Sequence, residues 1–154
     1  MTSRKNENPS PRSLFVIVVG CGRLGGYIAS SMSRAGHSVV VIDVRATAFD
    51  KLSAEFSGFR VEGDATETAL LRQVKTDKAD ALVATTREDN VNLMIAQVAR
   101  KIFGVKRVMA RVFDPGREEL YHELGIETVC PTCVSGNVFL NAILEGARVT
   151  QESK

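Results

Sequence analysis

Gly20-Cys21-Gly22-Arg23-Leu24-Gly25 places three glycines in the spacing G-x-G-x-x-G, directly after the apolar run Leu-Phe-Val-Ile-Val-Val at 14–19. A buried strand, a tight glycine turn and a helix start, in that order, aim unpaired N–H groups and a positive dipole end at one point. That arrangement holds a phosphate. Gly20 permits the turn, Gly22 lets backbone approach a diphosphate, and Gly25 lets the helix pack closely on the sheet. The competing reading is a sterically tight strand–helix turn with no ligand.

Asp43 ends the next apolar run, 18 residues past Gly25. A carboxylate there can accept from both hydroxyls of an adenosine ribose, and it repels a 2′-phosphate, which disfavours NADP. It can equally cap a helix starting near Thr47. Arg45 either covers an adenine face, reaches phosphate, or is a solvated arginine. Gly63-Asp64-Ala65-Thr66 follows the third strand. Asp64 can accept from an adenine amino group and the Ala65 N–H can donate to a ring nitrogen, or Asp64 and Thr66 are helix caps. Thr85-Thr86 follows the fourth strand and faces the glycine loop, so a hydroxyl or N–H can line the phosphate or second-ribose region. Glu88, Asp89 and Asn90 fit a helix start in any case. Arg23, inside the glycine motif, and Arg111, at the end of the fifth strand, both suit a polyphosphate. Each has a surface-charge alternative.

Groups for catalysis are few. His37 falls at the far end of the sheet and reads as a cap or solvated residue, and His122 falls in a surface helix. Cys130-Pro131-Thr132-Cys133 is a C-x-x-C with Cys133 at a helix N-terminus, where the dipole can favour a thiolate. Zinc needs two further ligands, and no second cysteine pair exists. The pair is expected to be structural. Three cysteines argue against a disulfide framework. Cys21 in the loop is expected to be a small buried cysteine.

Alternating strand and helix signals must position these residues. Strands are predicted at 14–19, 38–42, 59–62, 79–84, 107–110 and 127–129. Helices are predicted at about 23–34, 46–55, 67–73, 90–103, a stretch opened by Pro115 and closed near Gly125, and 133–147. Strands apolar on both faces predict a parallel sheet covered by helices. Right-handed crossovers then give a doubly wound α/β domain of Rossmann type, order 3-2-1-4-5-6. The last helix carries Val134, Val138, Phe139, Leu140, Ala142, Ile143, Leu144 and Ala147 around much of its circumference. That predicts packing against another subunit, with deeper burial in the monomer as the rival.

The 154 residues are expected to form one domain at 14–148, between a disordered arm at 1–13 and a tail at 149–154. A net charge of +2 makes no electrostatic case for nucleic acid. No apolar run reaches membrane-spanning length and no signal-peptide core follows the polar start, which predicts a cytoplasmic protein. The chain is also short for a dehydrogenase with a substrate domain, although a small NAD-dependent oxidoreductase or redox sensor stands as the alternative function.

These residues together resemble the RCK/KTN family, the TrkA N-terminal type of cytosolic regulators of potassium channels and transporters. The resemblance rests on V-I-V-V-G-C-G-R-L-G-G at 16–26, V-I-D at 41–43, G-D-A-T at 63–66, A-T at 84–85, E-D-N-V-N at 88–92 and K-R-V-M-A-R-V at 106–112. It implies an adenine nucleotide (AMP, ADP, ATP or NAD(H)) bound without turnover. It assigns phosphates to Gly20, Gly22, Arg23, Leu24 and Gly25, ribose to Asp43, and adenine to Asp64 and Ala65, with Thr85 and Arg111 on the phosphate side. It further implies homo- or hetero-oligomers, dimers building a ring, on the inner face of the membrane beneath a potassium transporter or channel subunit. Many members carry a smaller C-terminal ligand domain. The chain stops at Lys154, so either a second regulatory subunit supplies that part or a homo-oligomeric ring suffices.

Overall fold

Alternation along one strand decides which face each helix covers. In the computed structural model, which describes residues 12–146 and Val149, the first apolar run folds as β1, Phe15–Val19. Ile17 and Val19 enter one core, Val16 and Val18 the other, and all four are buried. Each such side chain contributes about 1.5–3 kcal/mol relative to exposure. A strand buried on both faces needs helices on both sides.

The remaining strands are β2 Ser38–Asp43, β3 Phe59–Glu62, β4 Ala81–Ala84, β5 Arg107–Arg111 and β6 Glu127–Val129. They form one sheet in the order β3-β2-β1-β4-β5-β6, every pair parallel. This is the doubly wound α/β order expected from the sequence. The helices are α1 Arg23–Arg34, α2 Thr68–Gln73, α3 Asp89–Lys101, α4 Glu118–Glu123 and α5 Pro131–Glu145. Ala29 of α1 packs on one core with Leu52 and Phe56, while Leu71, Ile95, Ala96, Ala99 and Tyr121 from α2, α3 and α4 pack on the other. The register aligns the strand ends: Asp43 with Glu62, Val19 with Ile42 and Ala84, and Arg111 with Val129. The chain leaves β1 toward β2 on one side, and β4 lies on the other. A crevice therefore opens at the carboxyl ends of β1 and β4.

Several sequence expectations are corrected. The segment at 46–55 is a 3-10 turn, Ala46–Lys51, because Leu52 turns extended (φ −71°, ψ 146°) and returns with Phe56 to the core. The edge strands are not apolar on both faces, and Phe59 is 74% exposed. Pro131 opens α5 two residues before Cys133, consistent with its pre-set φ. Of the expected arm, Arg12 pairs with Asp80 at 3.3 Å and the Ser13 hydroxyl donates to the Gly36 carbonyl. Residues 1–11 and Ala147, predicted as arm and helix end, lie outside the described residues, as does most of the tail. Deeper burial of the last helix in the monomer is also overturned. Phe139, Ile143 and Leu144 are 67%, 74% and 80% exposed, and no residue of α5 is fully buried.

Candidate functional site

The crevice holds a cavity of about 700 Å3, within the size range of small-molecule sites. Gly20, Gly22, Arg23, Asp43, Arg45, Asp64, Ala65, Thr85 and Arg111 all line it. Leu24 and Gly25 do not. Leu24 is half-buried on α1, and Gly25 is buried behind the loop, so each can offer only a backbone N–H from the helix's first turn.

The glycine loop is set by close packing. Gly20 sits at φ +92°, and a Cβ there would lie 2.9 Å from Thr85 and Thr86 backbone atoms. A Cβ on Gly25 would collide with the Gly20 carbonyl oxygen. Gly22 differs, since a Cβ there would meet nothing within 4 Å. The loop's outer side is therefore free for a ligand to approach. Gly22 begins α1 without a side-chain cap, and no acidic residue stands in the first turn. The first helical bond runs from the Gly26 N–H to the Gly22 carbonyl. The open N-terminal end favours an anion.

Asp43 is tied into the same loop. Its Oδ2 accepts the Cys21 N–H at 2.8 Å and its Oδ1 accepts the Arg45 N–H at 3.0 Å. Each oxygen keeps a further lone pair for a hydroxyl. The expected cap is not formed, because Arg45 precedes the 3-10 turn and no side chain caps it. Cys21 is buried, and desolvation, with the Asp43 charge second, pushes its thiol above the ordinary value. On the neighbouring side, Asp64 Oδ1 accepts both the Thr66 N–H and the Thr66 hydroxyl at 2.8 and 2.7 Å. Those bonds hold the carboxyl below its ordinary value. Asp64 closes this local turn and does not cap α2, whose N-cap is Glu67.

The two threonines that follow β4 brace the crevice. Thr85 Oγ1 is 3.0 Å from the carbonyls of both Val19 and Gly20, so its single proton is committed to bracing the glycine loop and is not available to donate to a ligand. The Thr86 hydroxyl donates to Asn92 Oδ1 at 2.6 Å. Asn92 is buried, and its Oδ1 also accepts the Thr86 N–H, while Nδ2 donates to the carbonyls of Thr86 and Arg111. The Arg111 guanidinium carbon lies 4.0 Å over the Phe113 ring, within cation–π range. Arg111 Nε is buried with no hydrogen-bond partner, the one such side-chain atom among the described residues. An unpartnered buried donor costs about 1–3 kcal/mol, so an arriving acceptor recovers that energy.

Sequence reasoning missed Lys51, Arg87 and Phe113 in the cavity wall, and Asn92 behind it. Five cations, Arg23, Arg45, Lys51, Arg87 and Arg111, face three carboxylates, Asp43, Asp64 and Glu88. The balance favours an anion with more than one charge. His37 lies away from the crevice and its Nδ1 accepts the Leu14 N–H at 3.2 Å. Cys130 and Cys133 are joined as a disulfide. The bond is local, between residues three apart at a helix start, and forms no wider framework.

The model of the TrkA-N domain matches residues 16–132, from β1 to the first turn of α5. The chain belongs to the TrkA-N family. The Trk system potassium uptake protein TrkA of Streptomyces coelicolor is 38% identical over 131 residues, covering 85% of this chain and 59% of that protein. The chain spans about half to three-fifths of the length of the curated relatives it matches. Among solved structures, the GsuK channel bound to NAD superposes with a TM-score of 0.75 at 23% identity, over 89% of this chain and 24% of that one. The Shewanella denitrificans Kef C-terminal domain in its AMP-bound form gives a TM-score of 0.73 at 23% identity, over 86% and 80%. These superpositions show a shared fold over most of the chain. The family model ends at Thr132, so the outward apolar face of α5 lies beyond it. Among the described residues no helix is long and apolar enough to cross a membrane.

Proposed function

We propose that this TrkA-N domain binds an adenine nucleotide (AMP, ADP, ATP or NAD(H)) without turning it over, and acts as a sensor for a potassium uptake or channel system. The observation that carries this reading is the convergence on one 700 Å3 cavity of the open Gly22 approach, the anchored Asp43 carboxylate and the unpartnered Arg111 Nε. The fit is chemical at each point. The α1 N-terminus and Arg23 take phosphate, Asp43 takes ribose hydroxyls, and Asp64 with Ala65 stands on the adenine side. The NAD and AMP named for the two structural relatives support the ligand class.

The same reading makes the domain a regulatory subunit. The relatives are potassium uptake proteins, and the outward apolar face of α5 offers a contact for a second copy, as a dimer building a ring. The site of action is then the cytoplasmic face of the membrane, through a transporter or channel partner. A nucleotide can bias such an assembly only by its different affinity for two states of the ring.

The test is calorimetric titration of nucleotide-stripped protein with ATP, ADP, AMP, NAD and NADH, with assembly mass followed by light scattering. Binding that is lost in Asp43→Ala, and that changes the assembly, is the expected result. Absence of binding to all five overturns the sensor. Consumption of NADH with a carbonyl substrate would replace it with the oxidoreductase.

A further inference from the structure

We propose that Cys130 and Cys133 are a reversible dithiol–disulfide couple, open to exchange with low-molecular-weight thiols and disulfides, at the junction of β6 and α5. The two cysteines lie outside the nucleotide cavity and form a motif that the binding reading leaves aside. The two sulfurs are joined, with Cα atoms 5.3 Å apart, inside the range that a disulfide needs. Cys130 is the N-cap of α5 and its Sγ accepts the Cys133 N–H at 3.2 Å. That donor favours negative charge on Cys130, the N-terminal end of a fifteen-residue helix favours it on either sulfur, and no acidic residue in the first turn opposes it. Pro131 at the first helical position fixes the backbone between them.

The pair is asymmetric. Cys130 is 3% exposed and belongs to the core, whereas Cys133 is half-buried at its edge. An external disulfide therefore reaches Cys133, and Cys130 resolves. In the oxidising direction, the Cys133 thiolate attacks one sulfur of a small disulfide RSSR. A Cys133–S–S–R bond forms and RS⁻ leaves. The Cys130 thiolate then attacks the Cys133 sulfur and expels the second RS⁻. The protein loses two protons and two electrons, and RSSR becomes two RSH. Reduction by two small thiols reverses both steps. Cys21 takes no part: its side chain is fully buried in the core. Among the described residues no group of three His, Cys, Asp or Glu side chains is placed to hold a metal ion, so the two thiols are not claimed by such a cluster.

Position gives the couple a route of influence. Val129, the residue before Cys130, is the strand partner of Arg111, and its carbonyl accepts the Val112 N–H at 3.0 Å. The couple thus joins the rim of the crevice to the helix that carries the outward apolar face.

The test equilibrates the native full chain in glutathione buffers of graded ratio, quenches with acid, and reads the disulfide by intact mass and peptide mapping. Folding is monitored by circular dichroism. The expected result is interconversion of the 130–133 disulfide and dithiol in the folded protein, with Cys21 unmodified. In Cys130→Ser, one glutathione is trapped on Cys133. In Cys133→Ser, modification of Cys130 is at least about tenfold slower. A pair that stays reduced at the most oxidising ratio overturns the proposal. So does a disulfide that glutathione reduces only after denaturation, which marks a fixed cross-link. The wild-type titration decides the matter even if a variant fails to fold.

Discussion

The Asn92 side chain donates to the Arg111 main-chain carbonyl at 3.0 Å while its oxygen holds the Thr86 N–H at 2.8 Å. One buried amide thus fixes the ends of two neighbouring strands at the rim of the crevice. All its hydrogen-bonding capacity is used, two bonds at each end. Asn92→Ala leaves the Thr86 N–H and the Arg111 carbonyl without their partner, and stability is expected to fall by about 1–3 kcal/mol. A positioning role predicts more than that. In a double-mutant cycle with Arg111→Ala, read by ATP affinity, the coupling is expected to be about 0.5–3 kcal/mol. Additive effects on affinity would leave Asn92 a purely structural residue.

Arg111 itself tests the phosphate side. Its Nε is buried and unpartnered above Phe113, so the gain from a phosphate oxygen is that of a charge-assisted hydrogen bond, about 1.5–3 kcal/mol. Arg111→Ala is expected to weaken ATP binding by about 10- to 100-fold, with adenosine unaffected. Equal losses for ATP and adenosine in a calorimetric comparison would mean that the side chain supports the fold and not the phosphates.

Two glycines of one motif are expected to behave oppositely. A methyl group at Gly25 meets the Gly20 carbonyl, whereas one at Gly22 meets open space. Gly25→Ala therefore destabilises by about 1–3 kcal/mol through overpacking. Gly22→Ala keeps the wild-type melting curve and loses nucleotide affinity by blocking the backbone approach. Denaturant unfolding alongside titration checks both, and a Gly22→Ala protein that binds normally would remove the loop from the site.

The pH dependence of Asp64 follows from Thr66. Two hydrogen bonds from Thr66 hold the carboxyl below its ordinary value, so the folded chain prefers the ionised form. The resulting stabilisation is present above the unfolded value, about 3.9 for aspartate. It is lost as pH falls through the lowered folded value. Asp64 is exposed, so the effect on global stability is small and NMR titration of the carboxyl is the suitable readout. Thr66→Val removes the hydroxyl bond and is expected to raise the Asp64 value toward the ordinary one. An unchanged titration would show that the backbone N–H alone sets it.

What the sequence reveals divides along physical lines. Val16 to Val19 announce a strand buried on both faces, and from that the parallel sheet and its strand order follow. The glycine spacing announces the crevice because its members are neighbours in both sequence and space, and Asp43 because it ends the strand beside β1, where its carboxylate meets the Cys21 N–H. Lys51, Arg87 and Phe113 carry no such signal: they converge only when separate loops close on one cavity. Asn92 looks like an ordinary polar residue on a helix until the strand order places Arg111 beside it. The turn at Ala46–Lys51 was hidden by good helix formers, since tertiary packing of Leu52 and Phe56 overrides local propensity. For Thr85 the position was legible and the role was not, because its hydroxyl is taken by carbonyls 65 and 66 residues away in the chain.

The outward face of α5 gives the last prediction. Phe139 and Ile143 stand four residues apart on one side of the helix and are 67% and 74% exposed. Such an apolar surface is costly in water unless another surface covers it. Because neither side chain is buried in the single chain, Phe139→Asp and Ile143→Asp are each expected to change monomer stability by only about 0.5 kcal/mol. A charge at the centre of a subunit contact has a far larger effect, because it must be desolvated without a partner. If the chain assembles through this face as proposed, light scattering shows smaller species for both variants than for the wild type, with unfolding curves nearly superimposed. A wild-type assembly that survives both charges would place the contact elsewhere and leave the α5 face for a different chain.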